Sequence, residues 1–245
     1  MSSSHARTNQ ASGGGGHPAD ADSIEPERGS RRRALIWAGL LAAAGLACIP
    51  FDGPISQAAA NLRDHVVGGD IKRELESLQQ YGQGAITLLV AWAIWLGDPG
   101  KRRRLLDWLL AVALAAVVTM PMKMLIGRPR PKFDDPGYFL GPFGAYPLGH
   151  DVGVRHAWEF WAGISSDLWS MPSSHTVYAV VMSVFLASVY PRLRPLAVLM
   201  AVVVGVSRVL FGAHYPSDVL VGAALGLAVA APVMGRYRRP TGANA

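Results

Sequence analysis

Apolar residues are gathered into six long blocks and do not follow a period of 2 or 3.6 residues. The blocks are residues 34–51, 81–96, 105–126, 176–190, 195–211 and 219–234. Each approaches the roughly 20 residues that a helix needs to cross a bilayer. The pattern predicts an all-α fold, a polytopic membrane bundle of about six transmembrane helices. Gly222 and Gly226 have the small-residue spacing that predicts close packing of the last helix inside this bundle, while the oligomeric state stays open.

The first block, residues 34–51, also has features of a signal peptide. The polar lead before it is longer than an ordinary n-region. Residues 45–48 (Gly-Leu-Ala-Cys) lack the apolar residue that a lipoprotein cleavage site carries three positions before its cysteine. We therefore interpret this block as a retained membrane helix.

The polar stretches divide the rest of the chain. Residues 1–33 are rich in Ser, Gly and Arg, which predicts a disordered tail. Apolar positions spaced among charges in residues 52–80 indicate short amphipathic helices on the membrane surface. The predicted divisions are a cytoplasmic tail (1–33), a first transmembrane helix with an amphipathic extracytoplasmic segment (34–80), a core (81–235) and a second cytoplasmic tail (236–245).

Basic residues lie in short clusters at the ends of the apolar blocks. The clusters are Arg31–Arg33, Lys101–Arg104, Arg192 with Arg194, and Arg236 with Arg238 and Arg239. Although the net charge is +6, this distribution is typical of membrane topology determinants, and we expect no nucleic-acid partner. The clusters alternate onto one side, which the positive-inside rule assigns to the cytoplasm, so residues 52–80, 128–171 and 212–218 face outward.

No metal or cofactor site is expected. Cys48 is the only cysteine, so neither an intrachain disulfide nor a cysteine-based metal site can form. His150, Asp151, His156 and Glu159 are close in sequence, but their spacing matches no usual metal site.

Three polar clusters adjoin the apolar blocks, where ionisable residues are costly and usually functional. They are residues 123–131, 172–175 and 207–218. The first follows the third helix, the second precedes the fourth, and the last connects the fifth to the sixth. Because each connecting segment faces outward, all three clusters are predicted to meet at one membrane face.

The side chains of these clusters are suited to an anion. Four basic residues make the predicted pocket strongly cationic: Lys123, Arg128, Arg130 and Arg208. The planar fork of arginine matches phosphate geometry. Acid, base or nucleophile chemistry is available from His175, His214 and Asp218. Ser173 and Ser174 precede the fourth helix, whose free backbone amides also bind anions.

Taken singly, the same residues have simpler explanations. Lys123 can extend its amine to the membrane surface. Ser173 or Ser174 can cap a helix, and Asp218 can interact with a helix dipole. We interpret Arg128 as a supporting surface charge.

Taken together, the three clusters resemble the signature of the type 2 phosphatidic acid phosphatase superfamily. That signature reads Lys, six residues, Arg-Pro; then Pro-Ser-Gly-His; then Ser-Arg, five residues, His, three residues, Asp. The chain matches it except at Ser174, which replaces Gly. We expect the phosphate cradle to survive this change, with altered hydrogen bonding. The resemblance covers residues 81–235 and makes them a phosphatase core.

The resemblance implies a mechanism without metal or cofactor. His214 attacks phosphorus to form a phosphohistidine, and Asp218 holds the imidazole in its reactive tautomer. His175 protonates the leaving oxygen and then activates water. Phosphate oxygens are bound by Lys123, Arg130, Arg208 and the Ser173 side chain with nearby amides, including that of Ser174.

The resemblance implies a lipid phosphate or diphosphate phosphatase. The apolar blocks and the basic clusters predict that it is a multi-pass protein of the cell (inner) membrane whose active site faces the extracytoplasmic side. The expected substrate is undecaprenyl diphosphate or phosphatidic acid, and a lipid A phosphate or phosphatidylglycerol phosphate is the alternative. Vanadium-dependent haloperoxidases share the signature but are soluble, which six apolar blocks disfavour. A non-enzymatic phosphate binder or transporter is the remaining alternative.

Overall fold

The computed structural model describes residues 25–149, 153–162 and 166–234, which are mainly helical. The α-helices are α1 (Glu25–Cys48), α2 (Asp52–His65), α3 (Gly69–Leu78), α4 (Gly84–Gly97), α5 (Arg102–Ile126), α6 (Ser174–Val189), α7 (Arg194–Leu210) and α8 (Pro216–Met234). Strands β1 (Ala145–Pro147) and β2 (Val154–His156) pair antiparallel. Short 3-10 helices lie at Ile49–Phe51, Pro99–Lys101, Pro131–Phe133, Phe160–Ala162 and Pro191–Leu193.

The predicted all-α bundle is confirmed, since α1 and α4 to α8 fall on the six apolar blocks. Among the described residues, four segments are long and apolar enough to cross a membrane: Gly29–His65, Pro99–Ile126, Pro191–Leu210 and Pro216–Met234. Helices α4 and α6 are apolar but shorter, with 14 and 16 residues. The count of six transmembrane helices is therefore approximate.

The N-terminal part differs from the prediction. Helix α1 begins at Glu25, before the predicted start at residue 34, so residues 25–33 are helical and not a disordered tail. Residues 1–24 and the predicted tail 236–245 lie outside the described residues. Segment 52–80 does form two short helices, α2 and α3, and α2 follows α1 through a single 3-10 turn.

Helix α8 lies at the centre of the bundle, in contact with α1, α5, α6 and α7. Half of the residues in the apolar stretch of α8 are buried, whereas only 11% are buried in the apolar stretch that includes α1. Gly222 and Gly226 allow α6 to approach closely, as their spacing predicts. A Cβ atom at either position would lie 2.8 Å from a backbone oxygen of α6 or of Ser173, the residue before it. Larger residues there would push the two helices apart.

The basic clusters within the described residues lie at the end of the bundle away from the three polar motifs. Arg104, at the start of α5, donates hydrogen bonds to Ser188 Oγ at 3.2 Å and to the Met234 carbonyl at 3.1 Å. The C-terminal ends of α6 and α8 therefore meet the N-terminal end of α5. At the other end, Gly127 terminates α5 with a φ of 56°, which turns the chain toward the first motif's arginines.

Candidate active site

The three sequence motifs converge where α5 and α7 end and α6 and α8 begin. Lys123 comes from the last turn of α5, and Arg208 from the last turn of α7. His175 lies in the first turn of α6, within electrostatic range of Lys123, Arg130, Arg208 and His214. We call these five residues the cationic pocket. Helix parity predicts this meeting from the sequence.

The three cations of the pocket are bound by neutral acceptors. Their described partners are the Trp169 carbonyl for Lys123 at 2.5 Å, the carbonyls of Ser166 and Ala213 for Arg130, the latter at 3.4 Å, and Gln79 Oε1 for Arg208 at 2.8 Å. Across the ranges that the structure describes, no carboxylate oxygen lies within 4.0 Å of these cations. None of the three cations therefore forms a direct ion pair with a described carboxylate, although Asp167 and Asp218 act on Arg130, and Asp218 on Lys123, over longer distances.

His214 is buried, with 2% of its surface exposed, and its Nδ1 lies 2.7 Å from the Ser170 carbonyl oxygen. A carbonyl can only accept, so Nδ1 carries the proton and Nε2 keeps a free lone pair. Burial lowers the pKa of His214 to about 4, although the nearby Asp218 carboxylate acts in the opposite direction. The ring is therefore neutral at neutral pH, as a nucleophile requires.

Asp218 lies in the first turn of α8, as predicted, and its Oδ2 is 3.7 Å from His214 Nδ1. This distance is too long for a hydrogen bond. The same oxygen accepts the Ser170 hydroxyl at 2.5 Å and the Tyr215 N–H at 2.8 Å. The carboxylate is thus near enough to stabilise positive charge on the imidazole, whereas the Ser170 carbonyl holds the ring's tautomer.

Arg128 is not a surface charge; that interpretation is wrong. Its side chain is fully buried, and it bridges two carboxylates at 2.7 Å, Asp52 Oδ2 and Asp218 Oδ1. It also donates to Ser217 Oγ at 2.7 Å and to the Pro136 carbonyl. We call Asp52, Arg128, Ser217 and Asp218 the buried charge network. Asp52 and Asp218 together supply the counter-charges that allow an arginine to be buried there.

Ser173 and Ser174 stand at the start of α6. Ser173 is buried, and its hydroxyl accepts a hydrogen bond from Thr176 Oγ1 at 3.1 Å, while its side chain makes no capping bond to the backbone. Its N–H donates to the Asp218 carbonyl at 3.0 Å, which fixes α6 against α8. Ser174 is the first residue of α6 and is half-buried. The amides of this first turn have no intrahelical acceptor and suit an anion.

A family model described as the PAP2 superfamily matches residues 104–240, more than half of the chain. The chain belongs to this superfamily. The match contains all three motifs and confirms the resemblance drawn from them.

Relatives and solved structures agree with this PAP2 membership. Lipid A 1-phosphatases of Rhizobium johnstonii and Rhizobium etli are each 34% identical over 117 residues, which is 47% of this chain. The alignments span only 40% and 42% of those proteins.

Among solved structures, a transmembrane PAP2-type phosphatidylglycerolphosphate phosphatase from Bacillus subtilis is similar with a TM-score of 0.57 and 25% identity, over 85% of this chain and 99% of the other. Aquifex aeolicus LpxE has a similar fold, with a TM-score of 0.55 and 18% identity, over 76% and 96% of the two chains. The protein is therefore a multi-pass membrane helix bundle of the PAP2 type.

Several residues of the site were missed by sequence reasoning. Asp52 and Gln79 lie outside the PAP2 match, yet they bind Arg128 and Arg208. The one sequence feature that could have indicated a role for Asp52 is its position, a carboxylate directly after the apolar block of residues 34–51. Ser170 has no such signal, because its backbone carbonyl makes the decisive contact with the histidine.

The expectation that no metal is bound stays a prediction. Within residues 25–149, 153–162 and 166–234, no three His, Cys, Asp or Glu side chains are grouped as a metal site would require. His156 Nδ1 lies 2.9 Å from the Gly144 carbonyl, and the His156 N–H donates to Glu159 at 3.3 Å. His150 and Asp151, the other two candidates, lie outside the described residues.

Proposed function

We propose that this protein is an integral membrane lipid phosphatase that hydrolyses a phosphate or diphosphate ester through a phosphohistidine. The observation that carries the proposal is the cationic pocket, in which the described hydrogen-bond acceptors of Lys123, Arg130 and Arg208 are all neutral and two histidines lie beside them. A phosphate dianion is the complement of such a site. The attraction between these cations and the equatorial phosphate oxygens would increase as negative charge develops on those oxygens during phosphoryl transfer.

In the first step, His214 Nε2 attacks phosphorus, and the bond from phosphorus to the lipid oxygen breaks. The leaving oxygen takes a proton from His175 and departs as the lipid alcohol, or as a lipid monophosphate from a diphosphate. The negative charge of the bound phosphate favours the protonated form of His175 beside it. Asp218, 3.7 Å from Nδ1, stabilises the positive imidazole ring of the intermediate.

In the second step, neutral His175 takes a proton from water, and the resulting hydroxide attacks phosphorus. The phosphorus–nitrogen bond breaks, its electron pair returns to His214 Nε2, and inorganic phosphate leaves. His175 has regained the proton that it donated, so the enzyme returns to its starting state. The Ser170 carbonyl keeps the proton on Nδ1 throughout and leaves Nε2 as the reacting atom.

The substrate is proposed to be an amphiphile whose tail stays in the bilayer. Large apolar side chains are exposed in the outer segment near the site, among them Phe143, Phe160 and Trp161. Undecaprenyl diphosphate and phosphatidic acid remain candidates, as does the phosphatidylglycerol phosphate named for the Bacillus subtilis neighbour. The Rhizobium lipid A 1-phosphatases, 34% identical to this chain over 117 residues, favour testing a lipid A 1-phosphate first.

The reaction is proposed to take place at the extracytoplasmic face of the inner membrane. Basic residues at the opposite end of the bundle, such as Arg104, would remain in the cytoplasm under the positive-inside rule. Single cysteines at Ser166 and Gly100, in a Cys48→Ala background, test this orientation. A membrane-impermeant thiol reagent on intact cells should label position 166 and not position 100. The reverse pattern would invert the topology, and labelling of both would mean a miscounted span.

The deciding experiment measures phosphate release by the purified full-length protein. The panel contains lipid A, phosphatidic acid, phosphatidylglycerol phosphate and undecaprenyl diphosphate in detergent micelles, with a His214→Ala protein as the blank. Release from at least one lipid, lost in the blank, supports the proposal. Phosphate binding without turnover would indicate a binder or transporter, and vanadate-dependent halide oxidation would indicate a haloperoxidase; either outcome overturns it.

A further inference from the structure

Asp52 is fully buried and has a hydrogen-bond donor on each carboxylate oxygen. Oδ1 accepts the Ser217 N–H at 3.0 Å, while Oδ2 accepts the Ser217 hydroxyl at 2.5 Å and the Arg128 guanidinium at 2.7 Å. It is the first residue of α2, and the PAP2 match begins only at residue 104. A carboxylate from the N-terminal region is thus built into the motif that carries the candidate nucleophile.

Arg128 connects this carboxylate to the reaction centre. One terminal nitrogen of the guanidinium binds Asp52, and the other terminal nitrogen binds Asp218, each at 2.7 Å. The guanidinium also lies 4.2 Å from the ring centre of Tyr215 and 4.8 Å from that of Phe139. These contacts on several sides leave the guanidinium little freedom to reorient. Asp52 therefore helps to fix the position in which Arg128 binds Asp218, and Asp218 does the same for Asp52.

We infer that Asp52 is a positioning residue for the Asp218–His214 pair and that it acts through Arg128. This inference rests on the proposed function. Asp52 and Asp218 are both negative and Arg128 is positive, so together they carry a net charge of about −1 beside a neutral His214. That net charge stabilises the positive imidazole ring of the phosphohistidine. If Asp52 became neutral, Arg128 would balance Asp218 fully, and this stabilisation would decrease.

The test replaces Asp52 with Asn, which keeps the shape of the side chain and removes its charge. Turnover of the lipid phosphate used by the wild-type protein is measured alongside binding of orthovanadate, a phosphate analogue, to the purified full chain. We expect kcat per vanadate-binding site to fall about 10- to 100-fold, the range found when residues that orient metal ligands are replaced. KM and vanadate affinity should stay within about threefold, because the cationic pocket is unchanged.

Two further variants make the result specific. Asp98→Asn removes a carboxylate that accepts a hydrogen bond from Tyr190 far from the site, and it should leave kcat unchanged. Asp52→Glu keeps the negative charge but is one methylene longer, so it should lower kcat less than Asp52→Asn does. It also serves as the test if Asp52→Asn does not fold.

Several outcomes would overturn the inference. An Asp52→Asn protein with a normal kcat per site would mean that Arg128 and Asp218 do not need Asp52. Loss of vanadate binding would give Asp52 a structural role in forming the pocket. Equal kcat losses in Asp52→Glu and Asp52→Asn would show that the negative charge at position 52 is not what supports kcat. A wild-type protein that binds vanadate yet dephosphorylates no lipid is a different result, because it refutes the proposed function itself and the inference with it.

Discussion

The buried charge network and the cationic pocket lie side by side and both contain arginines. The arginine of the network is paired with carboxylates, whereas those of the pocket are hydrogen-bonded to neutral oxygens. Arg128 has a carboxylate on each side, at 2.7 Å, and no exposed surface. Arg130 and Arg208 are only half-buried, and their described acceptors are carbonyl and amide oxygens. His214, a member of the cationic pocket, is in contact range of both regions, since Asp218 of the network lies 3.7 Å from its Nδ1 and the pocket cations act on it as well.

This difference separates structural charge from functional charge. An unpaired charge inside a protein is costly, so a buried arginine is tolerated only with close counter-ions. Arg128 meets that condition within the protein itself. The pocket cations have no directly paired carboxylate among the described residues, which is the arrangement expected of a site that binds an anionic substrate. Position in a motif does not reveal the difference, since Arg128 and Arg130 are two residues apart.

The largest effect is expected at His214, where the cationic pocket adjoins the buried charge network. His214→Ala should abolish turnover, by about 10⁴-fold or more, together with the acid-labile phosphoenzyme, because the nucleophile is lost. The protein should still insert into the membrane. Phosphate release and acid-quenched labelling from a radioactive lipid phosphate measure both effects, with exposed His65→Ala as the control. Near-normal turnover in the His214→Ala protein would refute the mechanism.

A stability effect is expected from the buried charge network. Arg128→Gln leaves Asp52 and Asp218 buried without their shared counter-ion, which should cost about 3 to 5 kcal/mol. The midpoint of thermal unfolding in detergent should fall clearly, and activity should fall with it. Arg192→Gln, at an exposed position in the 3-10 helix Pro191–Leu193, is the matched control. An unchanged midpoint would show that the two carboxylates do not depend on Arg128.

In the cationic pocket we expect a loss of activity without a loss of stability. Arg208→Gln removes a charge that no carboxylate among the described residues neutralises, so the unfolding midpoint should stay the same or rise. Its kcat/KM should nevertheless fall about 100-fold, because a phosphate-binding donor is lost. Both quantities are measured on the same preparation. If Arg208→Gln destabilised the fold as much as Arg128→Gln, the proposed separation of the two regions would fail.

Much of the site could be predicted from sequence because its parts follow from local rules. Apolar block lengths predicted the main helices, and helix parity then brought Lys123, His175, Arg208 and His214 to one end. Proline at the start of α8 predicted that Asp218 would lie in its first turn, near His214. Such inferences need only the direction of each helix and the position of a residue along it.

The remaining features depend on tertiary contacts that no local pattern contains. The carboxylate of Asp52 binds an arginine 76 residues away, across a segment of quite different composition. The acceptor for His214 is the backbone oxygen of Ser170, and every residue has such an oxygen. Nor could the start of α1 be read from hydropathy, because residues 25–33 are polar and the helix extends beyond the apolar block.

The smallest effect, none at all, is expected from chelation. Catalytic metals need several carboxylate, histidine or cysteine ligands, and Asp218 and Asp52 are already engaged by Arg128. In the pocket itself, Lys123, Arg130 and Arg208 would repel a divalent cation. Phosphate release should therefore proceed at the same rate in excess EDTA and with added Mg²⁺. A loss of activity in EDTA that Mg²⁺ restores would reveal a metal site, and the pocket cations would then not be the groups that neutralise the phosphate.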